Sequence, residues 1–489
     1  MGTLSSRFAE RHVERSEIST RVGTRNLAYA WIEPISVEGS EVRSGPPPDD
    51  SGLLKVIKVD LNIGANTQRH KTSEYDVTEA VDRPQLVIRR GQAFDVDITF
   101  NKEFNKQTDD IRLVFEFGKK PLPHKATHIE ILLSDDDVYK QWGARILTIN
   151  ENTLVIRVYT PPTLFVGKWS FQLDVVKQDD ANSIVYRYSH DQSIYILFNP
   201  WCRDDSTYLH DEDLLEEYVL ADTGTIYQGT AGKPSPRPWN FNQFEIVALD
   251  CALMVLDKSK LSMVSRGDPV QIVRRLSAMT NAKDDDGILV GDWSGNYSNG
   301  TLPSKWVGSL DILEQYYSTK KPVSYGQCWV FAGVLTTLCR TLGIPTRCVT
   351  NFSSAHDVDG SLTVDKFWKF ANPGYKPLDE YNSDSVWNFH VWNEVWMTRP
   401  DLPKGYGGWQ AIDATPQETS DGIFCCGPMS VVAIQEGNVN LPYDGPFIFS
   451  EVNADKIHWV RQPNGAFQKA ALDKKRAKTL NRAPNTAKN

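Results

Sequence analysis

The chain has 489 residues, a formal net charge of −9 at pH 7, 40% hydrophobic and 24% charged residues. That length exceeds what a single hydrophobic core fills, so two or three domains are expected. The negative balance argues against a general nucleic-acid binder, and no apolar run approaches the ~20 residues that a membrane span needs.

The N-terminus, MGTLSSRFAERHVERS, has no apolar stretch of the kind a secretory signal requires. It does match M-G-x-x-x-[ST], with Gly2 as a candidate myristoylation site once Met1 is removed. Arg7, Arg11 and Arg15 would then supply the electrostatic contact that one acyl chain needs for durable membrane attachment. The competing reading is a plain polar start. All seven cysteines lie after residue 200 and their number is odd, which is not a secreted disulfide framework; a reducing, cytoplasmic compartment is expected, with membrane contact through the acyl group.

Ser36 to Gly52 (SVEGSEVRSGPPPDDSG) is a linker by composition, so residues 1–50 are expected to form a flexible segment. Period-two alternation follows, at Ile57-Val59-Leu61-Ile63, Phe94-Val96-Ile98-Phe100, Ile111-Leu113-Phe115-Phe117 and Trp169-Phe171-Leu173-Val175. Such segments, separated by Gly, Pro, Asn and Asp turns, predict an antiparallel β-sandwich over 51–200.

Helical stretches then enter (LLEEYVLAD, FEIVALDCALMVLD), and 201–465 is expected to be a mixed α/β domain. Within it, YGQCWVFAGVLTTLCRTLGIP predicts a helix from Cys328 with Phe331, Val334, Leu335, Leu338 and Leu342 on its buried stripe, ending at Gly343 before Pro345. The tail from Ala466 has seven Lys or Arg against one Asp and is expected to be disordered or a frayed helix.

A thiol at a helix start lies in the positive end of the macrodipole and beside free backbone N–H groups, a setting that favours a thiolate and an oxyanion. Equally, free cysteine is often just a buried small residue. His390 in the strand-like WNFHVWNEVW and Asp413 in GWQAIDATPQE follow in the order Cys, His, Asp, which occurs in papain-like hydrolases. Taken singly, the imidazole reads as a satisfied core residue and the carboxylate as a cap.

The words YGQCWVFAGVLTTLCRTLGIPTRCVTNFSSAHD, WNFHVWNEVWMTRPDLP and GWQAIDATPQE, with RPWNFNQFE, ILVGDWSGNY, FSEVNAD and LVIRRGQAF, resemble the animal transglutaminases over roughly residues 50 to 460. The resemblance implies an immunoglobulin-like sandwich followed by a papain-like core, and Cys328 as nucleophile, His390 as base and Asp413 as orienter. It further implies that the Trp293 indole N–H serves the oxyanion and that Trp387 walls the amine channel. The implied reaction is calcium-dependent acyl transfer from protein glutamines to lysines or polyamines through a Cys thioester, with glutamine-bearing and lysine-bearing proteins as partners.

Two acidic clusters read as Ca²⁺ sites, or else as solvated turns. In HDVDGSLTVD, Asp357, Asp359, Ser361 and Thr363 place oxygens at alternate positions, as a loop around a hard cation does. Asp384 completes that set by family analogy. In NAKDDDG, Asn281 and Asp285 with the carbonyl of Ala278 match a second family loop, although Lys283 stands where an oxygen ligand is usual and must swing aside. The resemblance further implies a third site at Asn453 and Asp455 with two glutamates from a later segment; with no such segment among these 489 residues, a short form without those glutamates and without the family's two C-terminal β-barrels, which cover the active site in longer relatives, is expected. The rival readings are a truncated, catalytically weak scaffold or membrane-associated isoform, and a cysteine protease.

Overall fold

The predicted strand periodicities reappear as alternating burial. The computed structural model describes residues 41–80, 82–177, 183–473 and 478–480, and all of these belong to one unit of the chain, Val37–Asn489. Gly2 and the arginines near it lie outside the described residues.

Strand Phe94–Phe100 buries every second residue, and Asp110–Phe117 and Gly167–Lys177 bury the predicted apolar sets. Phe115 sits at their centre, with ring centroids 4.9 Å from both Trp142 and Phe171. The hydrogen-bonded path runs 41–44, 184–189, 167–177, 110–117, 128–134, 143–150, 153–159, 94–100 and 56–60, with Ile194–Leu197 and Val87–Arg89 branching off it. Both halves of the path feed one apolar core, in which Phe94, Phe115, Ile156 and Trp169 are fully buried.

Three departures from the sequence reading have local causes. The sheet is not wholly antiparallel: 41–44 with 184–189, 128–134 with 143–150, and 194–197 with 87–89 pair in parallel. Glu41–Ser44 is therefore an edge strand rather than linker, because its backbone completes hydrogen bonds with Ile184–Ser189 whatever its side chains. In strand Val56–Asp60 the register shifts between Val56 and Lys58, which turns Ile57 out to solvent (62% exposed), while Ile63 starts a helix, Ile63–His70.

The second half centres on helix Cys328–Thr341, whose predicted stripe is fully buried. It ends as expected: Gly343 adopts φ +88°, and a Cβ there would meet the Phe198 carbonyl oxygen at 2.5 Å. A five-stranded antiparallel sheet, in the order 426–430, 408–413, 385–397, 346–356 and 478–480, packs against this helix. A four-stranded sheet, in the order 375–377, 363–370, 455–461 and 467–473, lies apart.

The tail expectation is thus corrected for Phe467–Asp473, which pairs with Asp455–Arg461, and for Lys478–Leu480, which pairs with Thr346–His356. Net basic charge did not exclude strands here because an open sheet edge offers partners to any backbone.

The halves are joined by LVIRRGQAF. Arg90 is buried and bidentate to buried Asp205 (2.6 and 3.0 Å), and its Nη1 donates to the carbonyls of Leu164 (2.7 Å) and Gly267 (2.9 Å). Arg89 donates to the Phe198 carbonyl (3.1 Å) and stacks 4.7 Å from the Trp201 ring centroid. Removing one partner of such a pair strands the other charge. Asp205→Ala is expected to lower unfolding free energy by about 3–5 kcal/mol, read as a fall in the urea midpoint.

Candidate active site

Cys328 opens its helix after Gln327, an extended N-cap residue, and its thiol is buried. The Gln327 side-chain amide donates to the Asp292 carbonyl (3.0 Å) and the Tyr297 hydroxyl (2.9 Å), tying the helix start to the loop that carries Trp293.

His390 and Asp413 come from adjacent antiparallel strands, Ser385–Met397 and Gly408–Asp413. His390 Nε2 donates to Asp413 Oδ2 at 2.6 Å, with the residues 1% and 4% exposed. Asp413 Oδ1 accepts the Thr415 backbone N–H at 2.8 Å. The Cys328 thiol lies close enough to the same imidazole to favour its protonated form, and Nδ1, the ring nitrogen not used by Asp413, has no hydrogen-bond partner among the described residues. Burial opposes the imidazolium, but Asp413 and Glu451 outweigh it and raise the His390 pKa well above 6.5. The three residues in Cys, His, Asp order are thus brought together.

Two further polar residues complete this centre, and the sequence reading assigned neither. Gln417 Nε2 lies 3.0 Å from Asp413 Oδ2 and 3.1 Å from Glu451 Oε1. Glu451 Oε1 is 3.5 Å from His390 Nε2; burial, with Asp413 nearby, pushes its carboxyl up to about 8 despite His390 and Gln417. Both residues stand inside quoted words, GWQAIDATPQE and FSEVNAD. Polar residues in otherwise apolar or turn-forming words were the available signal.

Trp387 lies edge-on to the His390 ring (centroids 5.6 Å apart), and its indole N–H donates to Ser385 Oγ at 3.0 Å. Trp293, 44% exposed, sits 6.1 Å from Trp387 and nearly parallel to Phe331 at 6.4 Å. The two indoles therefore stand together on the approach to the imidazole, one of them open to solvent.

The candidate metal residues fall in two places. Asp357 and Asp384 are buried on one loop cluster: Asp384 accepts the backbone N–H groups of Val358 (3.1 Å) and Asp365 (2.8 Å), and Asp357 those of Gly360 (3.0 Å) and Leu362 (2.7 Å). The hydroxyls of Ser361 and Thr363 are 2.9 Å apart. Burial, together with Asp359 and Asp384, raises the Asp357 pKa. An oxygen-only set whose carboxylates crowd one another fits a hard divalent cation. Asp455 joins this region, since it pairs with Thr363 across neighbouring strands, with Asn453 at the end of the preceding helix.

The other place is the loop after helix Pro269–Thr280. Asn281 is buried and its Oδ1 accepts the Lys283 N–H at 3.1 Å, while the Ala278 carbonyl accepts the Asn281 N–H at 3.3 Å. Burial and then Asp284 raise the Asp285 pKa. The Lys283 ammonium lies 4.8 Å from the Phe424 ring centroid, while Lys258 donates to the Asp286 carbonyl at 2.7 Å and opposes the upward shift of Asp285, so this loop already carries a cation of its own.

These observations accord with comparison to known proteins. The Transglutaminase family profile matches residues 57–176, and the Transglutaminase-like superfamily profile matches 293–414. Protein-glutamine gamma-glutamyltransferase K of Homo sapiens is 46% identical over 432 residues, covering 88% of this chain and 51% of that protein. The hemocyte protein-glutamine gamma-glutamyltransferase of Tachypleus tridentatus is 42% identical over 446 residues, covering 89% and 58%. The crystal structure of red sea bream transglutaminase superposes with TM-score 0.73 at 37% identity, covering 87% of this chain and 63% of that one. The chain spans about half the length of the curated relatives it matches. The matches to both halves in one order, together with the fold, establish that this chain belongs to the transglutaminase family.

Proposed function

We propose that this chain catalyses calcium-dependent acyl transfer from protein glutamine side chains to lysine or polyamine amines, forming isopeptide crosslinks. The observation that carries this reading is the meeting of Cys328, a buried imidazole and a buried carboxylate at one helix start. The finer fold description belongs with it: an immunoglobulin-like sandwich ahead of a papain-like core.

In this mechanism the Cys328 thiolate attacks the glutamine γ-carboxamide carbon. The C–N bond breaks as His390 gives its proton to the departing ammonia, leaving a thioester. A neutral amine then attacks the thioester carbon, His390 takes the proton from that nitrogen, and the thiolate departs. Asp413 holds the ring by Nε2, so the other nitrogen faces the reacting atoms. The Trp293 N–H is assigned to the oxyanion, and the indoles of Trp293 and Trp387 keep water scarce so that the amine competes with hydrolysis.

Calcium would be held by Asp357, Asp359, Ser361, Thr363 and Asp384, by Asn281, Asp285 and the Ala278 carbonyl, and near Asn453 and Asp455. When bound it supplies fixed positive charge to loops crowded with carboxylates. Gly2 is proposed to be myristoylated in a cytoplasmic protein with membrane contact, and an acyl mass increment on the cell-expressed chain checks this.

With millimolar calcium, the protein is expected to link a fluorescent primary amine to a glutamine-rich protein, and Cys328→Ala to reduce labelling by about 10⁴-fold. Equal labelling by the variant removes the mechanism. Asp384→Asn is expected to weaken calcium binding at least about tenfold by calorimetry, with labelling restored at higher calcium. The imidazolium must survive to protonate ammonia, so kcat/KM should decline only at a pH well above 6.5. Asp413→Asn withdraws the negative partner and should move that decline to lower pH.

A further inference from the structure

We propose that Gln417 is a positioning residue for the imidazole–carboxylate pair, holding Asp413 against His390 and sealing the pair from a cavity behind it.

The side-chain nitrogen of Gln417 is within 3.1 Å of three groups at once: Asp413 Oδ2 (3.0 Å), His390 Nε2 (3.0 Å) and Glu451 Oε1 (3.1 Å). A primary amide has two hydrogens. Directed at Asp413 and Glu451, both are used, and two buried acidic side chains are bridged rather than left facing each other. Asp413 then has a full set of donors, with Thr415 N–H on Oδ1 and His390 and Gln417 on Oδ2. The 3.0 Å approach to His390 Nε2 is not needed as a bond, since that nitrogen already serves Asp413. It limits how far the ring can turn.

Both ends of the bridge are anchored. The Gln417 backbone N–H donates to the Thr415 carbonyl at 2.8 Å, closing a tight turn just after Asp413. The Glu451 carbonyl accepts Asn351 Nδ2 at 2.7 Å, and Asn351 is the cross-strand partner of His390. The amide thus connects two carboxyls whose backbones are themselves tied to the imidazole strand.

Gln417 is also a wall. A cavity of about 40 Å³ lies beyond it, lined by Thr415, Gln417, Glu418, Cys426 and Asp444 among others. That volume accepts at least one water, and Thr415 Oγ1, buried there, has no partner among the described residues. Loss of the amide would open the dyad to this space and let water compete for Asp413.

The kinetic part of the test rests on the transferase reading, whereas the spectroscopic part does not. In the full chain, Gln417→Met keeps length and apolar volume but removes the donors, and Gln417→Ala also removes the plug. Both are expected to lower kcat for amine incorporation about 10- to 100-fold with the amine KM within about twofold, Ala more than Met. Both should also move the His390 resonances in histidine-labelled NMR, with melting temperature lowered by a few degrees, Ala more than Met, and both variants still folded at the assay temperature. Unchanged His390 resonances and kcat within twofold of the parent in both variants overturn the proposal. If Met does not fold, Gln417→Leu, which likewise has no donor and nearly fills the same volume, is read in the same way. A parent protein that transfers no amine, with His390 resonances that still move in the variants, sinks the transferase reading and leaves the positioning role standing.

Discussion

The contact from His390 Nε2 to Asp413 Oδ2 is the constraint on which the rest of this molecule's chemistry depends. An ionised carboxylate removed from water needs donors, and the fold supplies a backbone N–H, an imidazole N–H and an amide to one that is 4% exposed. In return the carboxylate sustains a proton on a fully buried ring that burial alone would strip bare. Neither residue could be held this way without its neighbour strand. The pairing of Asn393 with Ile412 aligns the two strands so that the side chains meet diagonally on one sheet face.

The strand-rich N-terminal half takes part in this arrangement although Cys328, His390 and Asp413 all lie outside it. The Tyr75 hydroxyl donates to the carbonyl of Thr341 at 2.9 Å, and the Phe198 N–H donates to that of Leu342 at 3.0 Å, so carbonyls at the end of the Cys328 helix are capped from outside. Buried Arg89 and Arg90 bind the same junction through carbonyls and Asp205. The helix is thereby braced at its far end while its first residue presents the thiol.

The acidic loop is connected to the same strand. Asp384 directly precedes Ser385, the first residue of the strand that carries Trp387 and His390, and it anchors the loop through the N–H groups of Val358 and Asp365. At the root of the same strand, Ser385 Oγ accepts the Trp387 indole N–H. Carboxylate loop, indole and imidazole thus follow one another within seven residues, Asp384 to His390.

Much of this was legible in the amino-acid sequence because the relevant signals are local. Period-two alternation marked strands of the N-terminal half, three- and four-residue spacing marked the Cys328 helix, and Gly343 marked its end, each a consequence of backbone geometry over a few residues. The sequence words around Cys328, His390 and Asp413 carried the family. Composition misled where backbone pairing overrode it, at Glu41–Ser44 and Phe467–Asp473, and alternation misled at Ile57, where a bulge breaks the phase. The placing of Lys283 against the Phe424 ring, the meeting of Asp455 with Thr363 and the bridging of Asp413 to Glu451 by Gln417 were decided by tertiary structure alone. Each joins residues that only a particular strand order or loop packing makes neighbours, and no repeat along the chain encodes which side chains meet across that distance.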